Sequence, residues 1–260
     1  MFSKDSAVLY EVKDQIGVIT INRPERRNAI SIEVYEKLDY IWNTVDEDEN
    51  VRVVIITAVG DKAFSAGMDL KEQAELSSQG KDMLQMVKDP MMQKMTEVKK
   101  PIIAAVNGIA AAGGFLLAQN ADLRVASFNA GFSIREAKVG RGSPWAVPLL
   151  WMLPLNISME LTMTAEPISA ERLYQLGFLN KLVEHDQLLS EAMKMARSIR
   201  DNAPLSVMAS KQSLKDALDL GKTLGLKNAN RIYEIVYSSQ DAIEGPKAFA
   251  EKRKPNWQGR

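Results

Sequence analysis

Apolar and polar side chains alternate between residues 8 and 22. The alternation breaks at Asp14-Gln15-Ile16-Gly17, which predicts a hairpin whose second strand is Val18-Ile19-Thr20-Ile21. Pro24 ends that strand. Ser31 is a suitable N-cap for a helix in which Leu38, Ile41, Trp42 and Val45 recur at helical spacing, through about residue 48. Val53-Val54-Ile55-Ile56-Thr57 then reads as a buried strand, residues 82–98 as an amphipathic helical region before Pro101, and residues 102–106 as another continuous apolar strand. A further strand region covers residues 123–126. Uninterrupted apolar strands separated by helices imply parallel strands covered on both faces and joined by right-handed crossovers, so the expected class is α/β.

From about Asp186 onward the strand signals stop. Helical patterns cover residues 188–200, 205–218, 224–238 and 242–252, with Pro204 and the stretch from Gly221 to Gly225 marking helix boundaries. These helices carry more apolar residues than a small bundle can hide, so they are expected to contact the core or a neighbouring subunit. The expected organisation is a core over residues 1–200 and a helical unit over residues 201–260.

Composition narrows the function classes. The 260 residues hold 33 Lys and Arg against 33 Asp and Glu, one His and no Cys. A balanced charge gives no basic field for a phosphate backbone, so nucleic acid is not an expected partner. Without cysteine there is no thiol nucleophile, disulfide or thiolate metal site, and no metal is expected. A histidine-based triad would rest on His185 alone, in a segment that reads as an exposed turn. Met1-Phe2-Ser3-Lys4-Asp5 lacks an apolar signal core, and no apolar run reaches the roughly 18 residues of a membrane span, so the default expectation is a cytoplasmic protein without a membrane partner.

Ligands of such a sheet belong at the C-terminal ends of its strands, where two loops are rich in Gly and Ala. The first, residues 58–69, leads through Ala63-Phe64-Ser65-Ala66-Gly67-Met68-Asp69 into a helix expected to begin near Met68; the second, residues 107–114, leads through Gly113-Gly114 into a helix over residues 115–120. Unpaired N–H groups at such turns can bind an anion or a polarised carbonyl oxygen, and two aimed at one point form an oxyanion hole. Gly-rich strand-to-helix turns also occur for packing reasons alone. Glu136 is the candidate acid or base beside them; the alternative is a solvated carboxylate paired with Arg135 or Lys138.

Several segments in this order resemble the crotonase superfamily, the enoyl-CoA hydratase/isomerase family, over essentially the whole chain. They are Asn22-Arg23-Pro24 with Asn28-Ala29, Ala63 to Leu70, Ala105-Val106-Asn107-Gly108 continuing through Gly113-Gly114 to Asp122, and a tail with Asp241, Gly245, Phe249 and Glu251-Lys252-Arg253-Lys254. The resemblance implies a spiral of ββα units with a helical C-terminal region that builds homotrimers, often paired into hexamers. It implies an acyl-CoA thioester substrate and no separate cofactor, coenzyme A being part of the substrate. The oxyanion-hole N–H groups would come from Met68 and Gly113. The coenzyme A contacts would fall on backbone at Ala63, Phe64, Ala66, Asp69 and Leu70, with Arg23, Arg27, Lys62 and Lys252 as candidates for its phosphates, Lys252 acting across a subunit interface. As ordinary surface charges these four need no ligand.

Two departures bear on the reaction. Two-carboxylate hydratases of this family place a first Glu three residues beyond the second-loop glycine, where this chain has Leu116; the second Glu is retained as Glu136. Leu116 cannot hold or deprotonate water. A single carboxylate is still compatible with hydration of a 2-enoyl-CoA, the expected activity, with a 3-enoyl to 2-enoyl isomerisation, and, in another class altogether, with an acyl-CoA-binding protein that has lost turnover. The second departure is Gly140-Arg141-Gly142-Ser143-Pro144-Trp145 in place of a stretch richer in glycine. Trp145, Trp151, Met152 and Phe132 either pack the core or favour a flat or cyclic acyl group over a long flexible one.

Overall fold

The computed structural model of the protein describes residues 5–260, so Met1–Lys4, part of the segment read above for a signal, lies outside the described residues. Strands β1 (Val8–Lys13) and β2 (Ile16–Ile21) form the expected hairpin, with Lys13 opposite Ile16. The turn is shorter than its sequence suggests: Asp14 and Gln15 take it alone, with φ of 52° and 61°, the left-handed pair that matches strand twist. Ser31 then caps α1 (Ile32–Thr44) by accepting from the Val34 N–H.

A unit of long strand, short strand and helix follows and recurs. It runs β3 (Val53–Ala58), β4 (Ala63–Ser65), α2 (Leu70–Ser77); then, after α3 (Met83–Met86) and α4 (Gln93–Glu97), β5 (Ile102–Val106), β6 (Ile109–Ala111), α5 (Gly113–Asn120); then β7 (Leu123–Ser127), β8 (Gly131–Ser133) and α6 (Leu155–Thr164). The long strands enter a six-stranded sheet of order β1-β2-β3-β5-β7-β10, parallel except at the hairpin, and the short ones a second sheet of order β4-β6-β8-β9. Strand β9 is Ile168–Ser169, followed by α7 (Ala170–Gln175), and β10 is Lys181–Val183. Residues of β3 and β5 are buried throughout because each strand has a hydrophobic cluster on both faces. Helix α8 (Leu188–Arg200) covers one face through Leu188, Ala192 and Ala196.

Two expectations are corrected and one helix boundary is borne out. The amphipathic region at residues 82–98 is two short helices, since Pro90 supplies no N–H between them. The expected boundary between the helices at residues 205–218 and 224–238 is met: Gly221, with φ of 67° and ψ of 178°, is not helical and divides the run α9 (Pro204–Tyr237) into two helices at a kink. Helix α2 begins at Leu70 and not near Met68, because the buried Asp69 carboxylate caps it by accepting from Lys71 and Glu72. After α9 comes α10 (Gln240–Ala250). Along these last helices Leu214, Leu218, Leu224, Ile235, Ile243 and Phe249 are exposed. Among the described residues no helix is long and apolar enough to cross a membrane.

The loop after β4 and the start of α5 touch backbone to backbone. A methyl group on Gly114 would lie 2.2 Å from the Ser65 carbonyl oxygen, and one on Gly108 would lie 2.6 Å from the Lys62 carbonyl carbon. Gly114→Ala is therefore expected to lower the unfolding free energy by about 3 kcal/mol. Gly131→Ala, whose methyl would meet nothing within 4 Å, should change it by less than about 0.5 kcal/mol. Denaturant titration of both variants measures the contrast.

Candidate active site

Two unpaired main-chain N–H groups, those of Met68 and Gly113, lie close together where the loops meet. Met68 forms a parallel bridge with Ile30, in which Ile30 N donates to Gly67 O at 2.8 Å and Asp69 N donates to Ile30 O at 2.9 Å. The Met68 N–H between them has no acceptor among the described residues. Gly113 opens α5, where a first-turn N–H has no intrahelical acceptor, and it too is unpaired. A methyl on Gly113 would lie 3.9 Å from Met68 N, and one on Gly67 would lie 3.1 Å from Gly113 N. The preceding residue is strained: Ala112 has φ 50° and ψ −119°, a conformation glycine favours. Its N–H donates to Ser133 O at 2.9 Å and its C=O accepts from Leu116 N at 3.0 Å, so β8 and α5 together hold the peptide in place.

Beside these amides lies a cavity of about 610 Å³. Of the residues expected at the site, Arg27, Ala63, Ala66, Met68, Leu70, Gly113, Leu116, Glu136 and Trp145 line it. Leu70 and Ile109, both large and exposed, stand on its wall. Tyr35, Leu84, Met91, Arg135 and Arg141 line it too and were not singled out from the sequence. Tyr35 carries a usable signal, since it stands three residues before Leu38 on the apolar face of α1 and brings a hydroxyl there. Burial, with the negative charges of Asp89 and Glu136, pushes its phenol up to about 12, so it is neutral at ordinary pH.

Glu136 begins a single 3-10 turn after β8. It is paired with neither Arg135 nor Lys138: Lys138 is drawn off to Glu166 at 2.6 Å. Instead its Oε1 accepts from Trp145 Nε1 at 3.1 Å, and its Oε2 is buried with no hydrogen-bond partner among the described residues. Burial raises its carboxyl above the usual range, against the opposing pull of its own backbone N–H, the indole N–H and the Arg135 backbone N–H. Leu116, buried on the same cavity wall, offers neither a proton nor a hydrogen bond.

Phe64 and Asp69 are buried and, with Lys62 and Lys252, do not line the cavity in this chain. Lys62 is exposed beside Ala63. Arg23 serves as an internal strut: its guanidinium donates to Ala29 O at 2.6 Å and to Asp69 Oδ2 at 2.8 Å. The two motif asparagines are struts as well. Asn28 donates to Val59 O and Ala63 O, and Asn107 to Ala58 O and Gly60 O, which fixes the course of the loop before Ala66. His185 is exposed ahead of α8 and away from the cavity. Among the described residues no group of three or more His, Asp or Glu side chains is placed to hold a metal ion.

Repeating units of long strand, short strand and helix, with two unpaired N–H groups close together where their loops meet, fit a crotonase-type fold. The sequence profile of the enoyl-CoA hydratase/isomerase family matches residues 11–260, and the chain belongs to that family of enzymes. It is 31% identical to a short-chain-enoyl-CoA hydratase of Clostridium acetobutylicum, with 95% of each chain covered. It is 34% identical to an (E)-benzylidenesuccinyl-CoA hydratase of Thauera aromatica, covering 97% of this chain and 99% of the other. The crystal structure of an enoyl-CoA hydratase from Mycobacterium tuberculosis superposes with a TM-score of 0.88 at 36% identity, over 98% of this chain and 100% of that one. One from Bacillus anthracis superposes at 0.92 with 30% identity, over the same shares of the two chains.

The Arg23–Asp69 pair ties the first loop to α2. Burial pushes the Asp69 carboxyl up, but the Arg23 guanidinium and the Glu72 and Lys71 N–H groups together hold it below its ordinary value. A depressed carboxyl contributes stability that is fully present above the unfolded aspartate value of about 4 and lost as pH falls through the folded value. Arg23→Met should therefore cost about 2 kcal/mol near neutral pH. The gap to wild type should narrow once the pH drops below about 4; urea unfolding at a series of pH values reads both.

Proposed function

We propose that the chain is an enoyl-CoA hydratase that adds water reversibly to a 2-enoyl-CoA thioester through a stabilised enolate, with Glu136 as its only acid and base. The observation that carries this reading is the pairing, on one cavity wall, of two unpaired main-chain N–H groups with one carboxylate of raised proton affinity. The hydratase names of its relatives support it. The Met68 and Gly113 N–H groups donate hydrogen bonds to the thioester oxygen. As a water oxygen bonds to the β carbon, the double-bond electrons move toward the thioester oxygen, and the amides stabilise the charge that collects there. Such donors suit the task because they carry no proton to lose, and one of them is worth about 3 kcal/mol of barrier.

Glu136 takes a proton from the attacking water and gives one to the α carbon, so that one water is added and the carboxylate is restored. A carboxyl held above its ordinary range by burial takes that proton more readily than an exposed one. The reaction so written needs no separate cofactor. Coenzyme A would run over the backbone at Ala63, Phe64, Ala66, Asp69 and Leu70 and across the exposed Leu70 and Ile109. Arg27 and Lys62 would lie near its phosphates, with Lys252 supplied by a neighbouring subunit. The exposed apolar residues of α9 and α10 support a homo-oligomer, a trimer or a pair of trimers. Trp145 and Leu116 beside Glu136 favour a compact acyl group, flat or ringed, over a long chain.

A second reading, isomerisation of a 3-enoyl-CoA, is favoured by Leu116, since moving a proton from the α to the γ carbon needs one base and no held water. Incubation with 2-enoyl- and 3-enoyl-CoA thioesters in heavy-oxygen water separates the two. Label in a hydroxyacyl product is expected, and a shifted double bond without label would replace hydration by isomerisation. Glu136→Gln should lower kcat about a thousandfold while sparing acyl-CoA binding. In the wild type kcat/KM should fall as pH drops through a value above the ordinary glutamate figure of about 4.3. Turnover unchanged in Glu136→Gln would remove the carboxylate from the mechanism.

A further inference from the structure

We infer that Trp145 is the positioning residue of Glu136: its indole N–H holds the carboxylate in one orientation and confines the transferred proton to Oε2. The inference rests on the reading of Glu136 as acid and base, and it adds a residue and an atom to it. The indole nitrogen donates and cannot accept. Its bond to Oε1, at 3.1 Å, therefore requires Oε1 to remain an acceptor whether Glu136 is charged or neutral. The proton that Glu136 gains must then form its O–H bond at Oε2, and the same bond must break when the proton leaves. Oε2 is the oxygen with no hydrogen bond among the described residues, so its lone pairs are uncommitted.

The indole is itself braced by the helix that carries Gly113. Gln119, on α5, donates from Nε2 to the Trp145 carbonyl oxygen at 2.8 Å, and the ring of Phe115, also on α5, stands edge-on to the indole with centroids 6.3 Å apart. One rigid element thus presents the Gly113 N–H at its first turn and, through Trp145, sets the orientation of the carboxylate. None of the cations on its own segment is paired with Glu136. Lys138 is bound by Glu166, Arg141 lies 3.7 Å from Asp82, and the Arg135 side chain is exposed. From α1 the facing group is Tyr35, neutral below about 12. The one charged side chain of α6, Glu160, is exposed and held by Arg172. The indole N–H is accordingly the one side-chain donor recorded for this carboxylate among the described residues, and losing it should raise the carboxyl further.

The test is the pH dependence of kcat and KM for a short 2-enoyl-CoA in wild type, Trp145→Phe and Glu136→Gln. Phenylalanine keeps an aromatic ring against Phe115 and removes the N–H. Trp145→Phe is expected to lower kcat at least about tenfold with KM changed less than about threefold, and to move the acid limb of the kcat profile up by about one pH unit. A ring that merely fills space would leave that limb in place. If the variant fails to fold, replacing the indole by benzothiophene at position 145 exchanges N–H for sulfur at nearly constant shape and makes the same measurement. An acid limb unmoved in the folded variant overturns the inference, and if Glu136→Gln is still inactive, the proposed function survives that loss. Full activity in Glu136→Gln instead removes the function and this inference together.

Discussion

The close approach of two backbone segments governs this molecule. Gly67 and Gly113 come together so tightly that a methyl group on Gly67 would sit 2.8 Å from both the Ala111 oxygen and the Ala112 Cβ, and Gly114 presses on the Ser65 carbonyl. Side chains would push the segments apart, and with them the Met68 and Gly113 N–H groups. The surrounding structure maintains the contact. Asn28 and Asn107 hold the carbonyls of the first loop, the Arg23–Asp69 pair fastens that loop to α2, and Ser133 fixes the strained Ala112. Strain of about 1–3 kcal/mol at such a residue persists only where neighbours over-determine it, and here a strand and a helix both do so.

Helix α5 extends that constraint to the acid–base group. Its first residue supplies an N–H, and its Phe115 and Gln119 set the indole that bonds Glu136. Phe115 also meets Phe132 and Phe178 edge-on at 5.4 and 5.6 Å, so the helix is anchored in the aromatic part of the core. A carboxylate buried with one oxygen free has a raised proton affinity; a carboxylate left fully unpaired there would be driven further toward the neutral acid. The indole bond, together with the nearby Glu136 and Arg135 backbone N–H groups, places the carboxyl between these limits.

Strands β3 and β5 were legible because burial on both faces demands apolar residues at every position, and the Gly-rich loops because close backbone approach excludes other residues. The hairpin and α1 were legible from local turn and capping chemistry. What the sequence did not disclose depends on partners distant along the chain. Arg23 reads as a surface charge until Asp69, 46 residues on, is seen to hold it. Trp145 reads as bulk, and its bond to Glu136 becomes visible only with Gln119 and Phe115 in place. The start of α2 was misjudged because the capping group is a buried Asp already engaged in an ion pair. Tyr35 was missed because helical periodicity marks a face as apolar without saying that a cavity opens beside it.

The most direct measurement of the central claim, that two main-chain amides polarise the thioester, is the carbon-13 resonance of the thioester carbonyl in a 2-enoyl-CoA bound to the Glu136→Gln protein. A polarised carbonyl shifts downfield from its position in free solution, and that shift should shrink when the Met68 amide is replaced by an ester. A bound carbonyl resonating where the free one does would contradict the account.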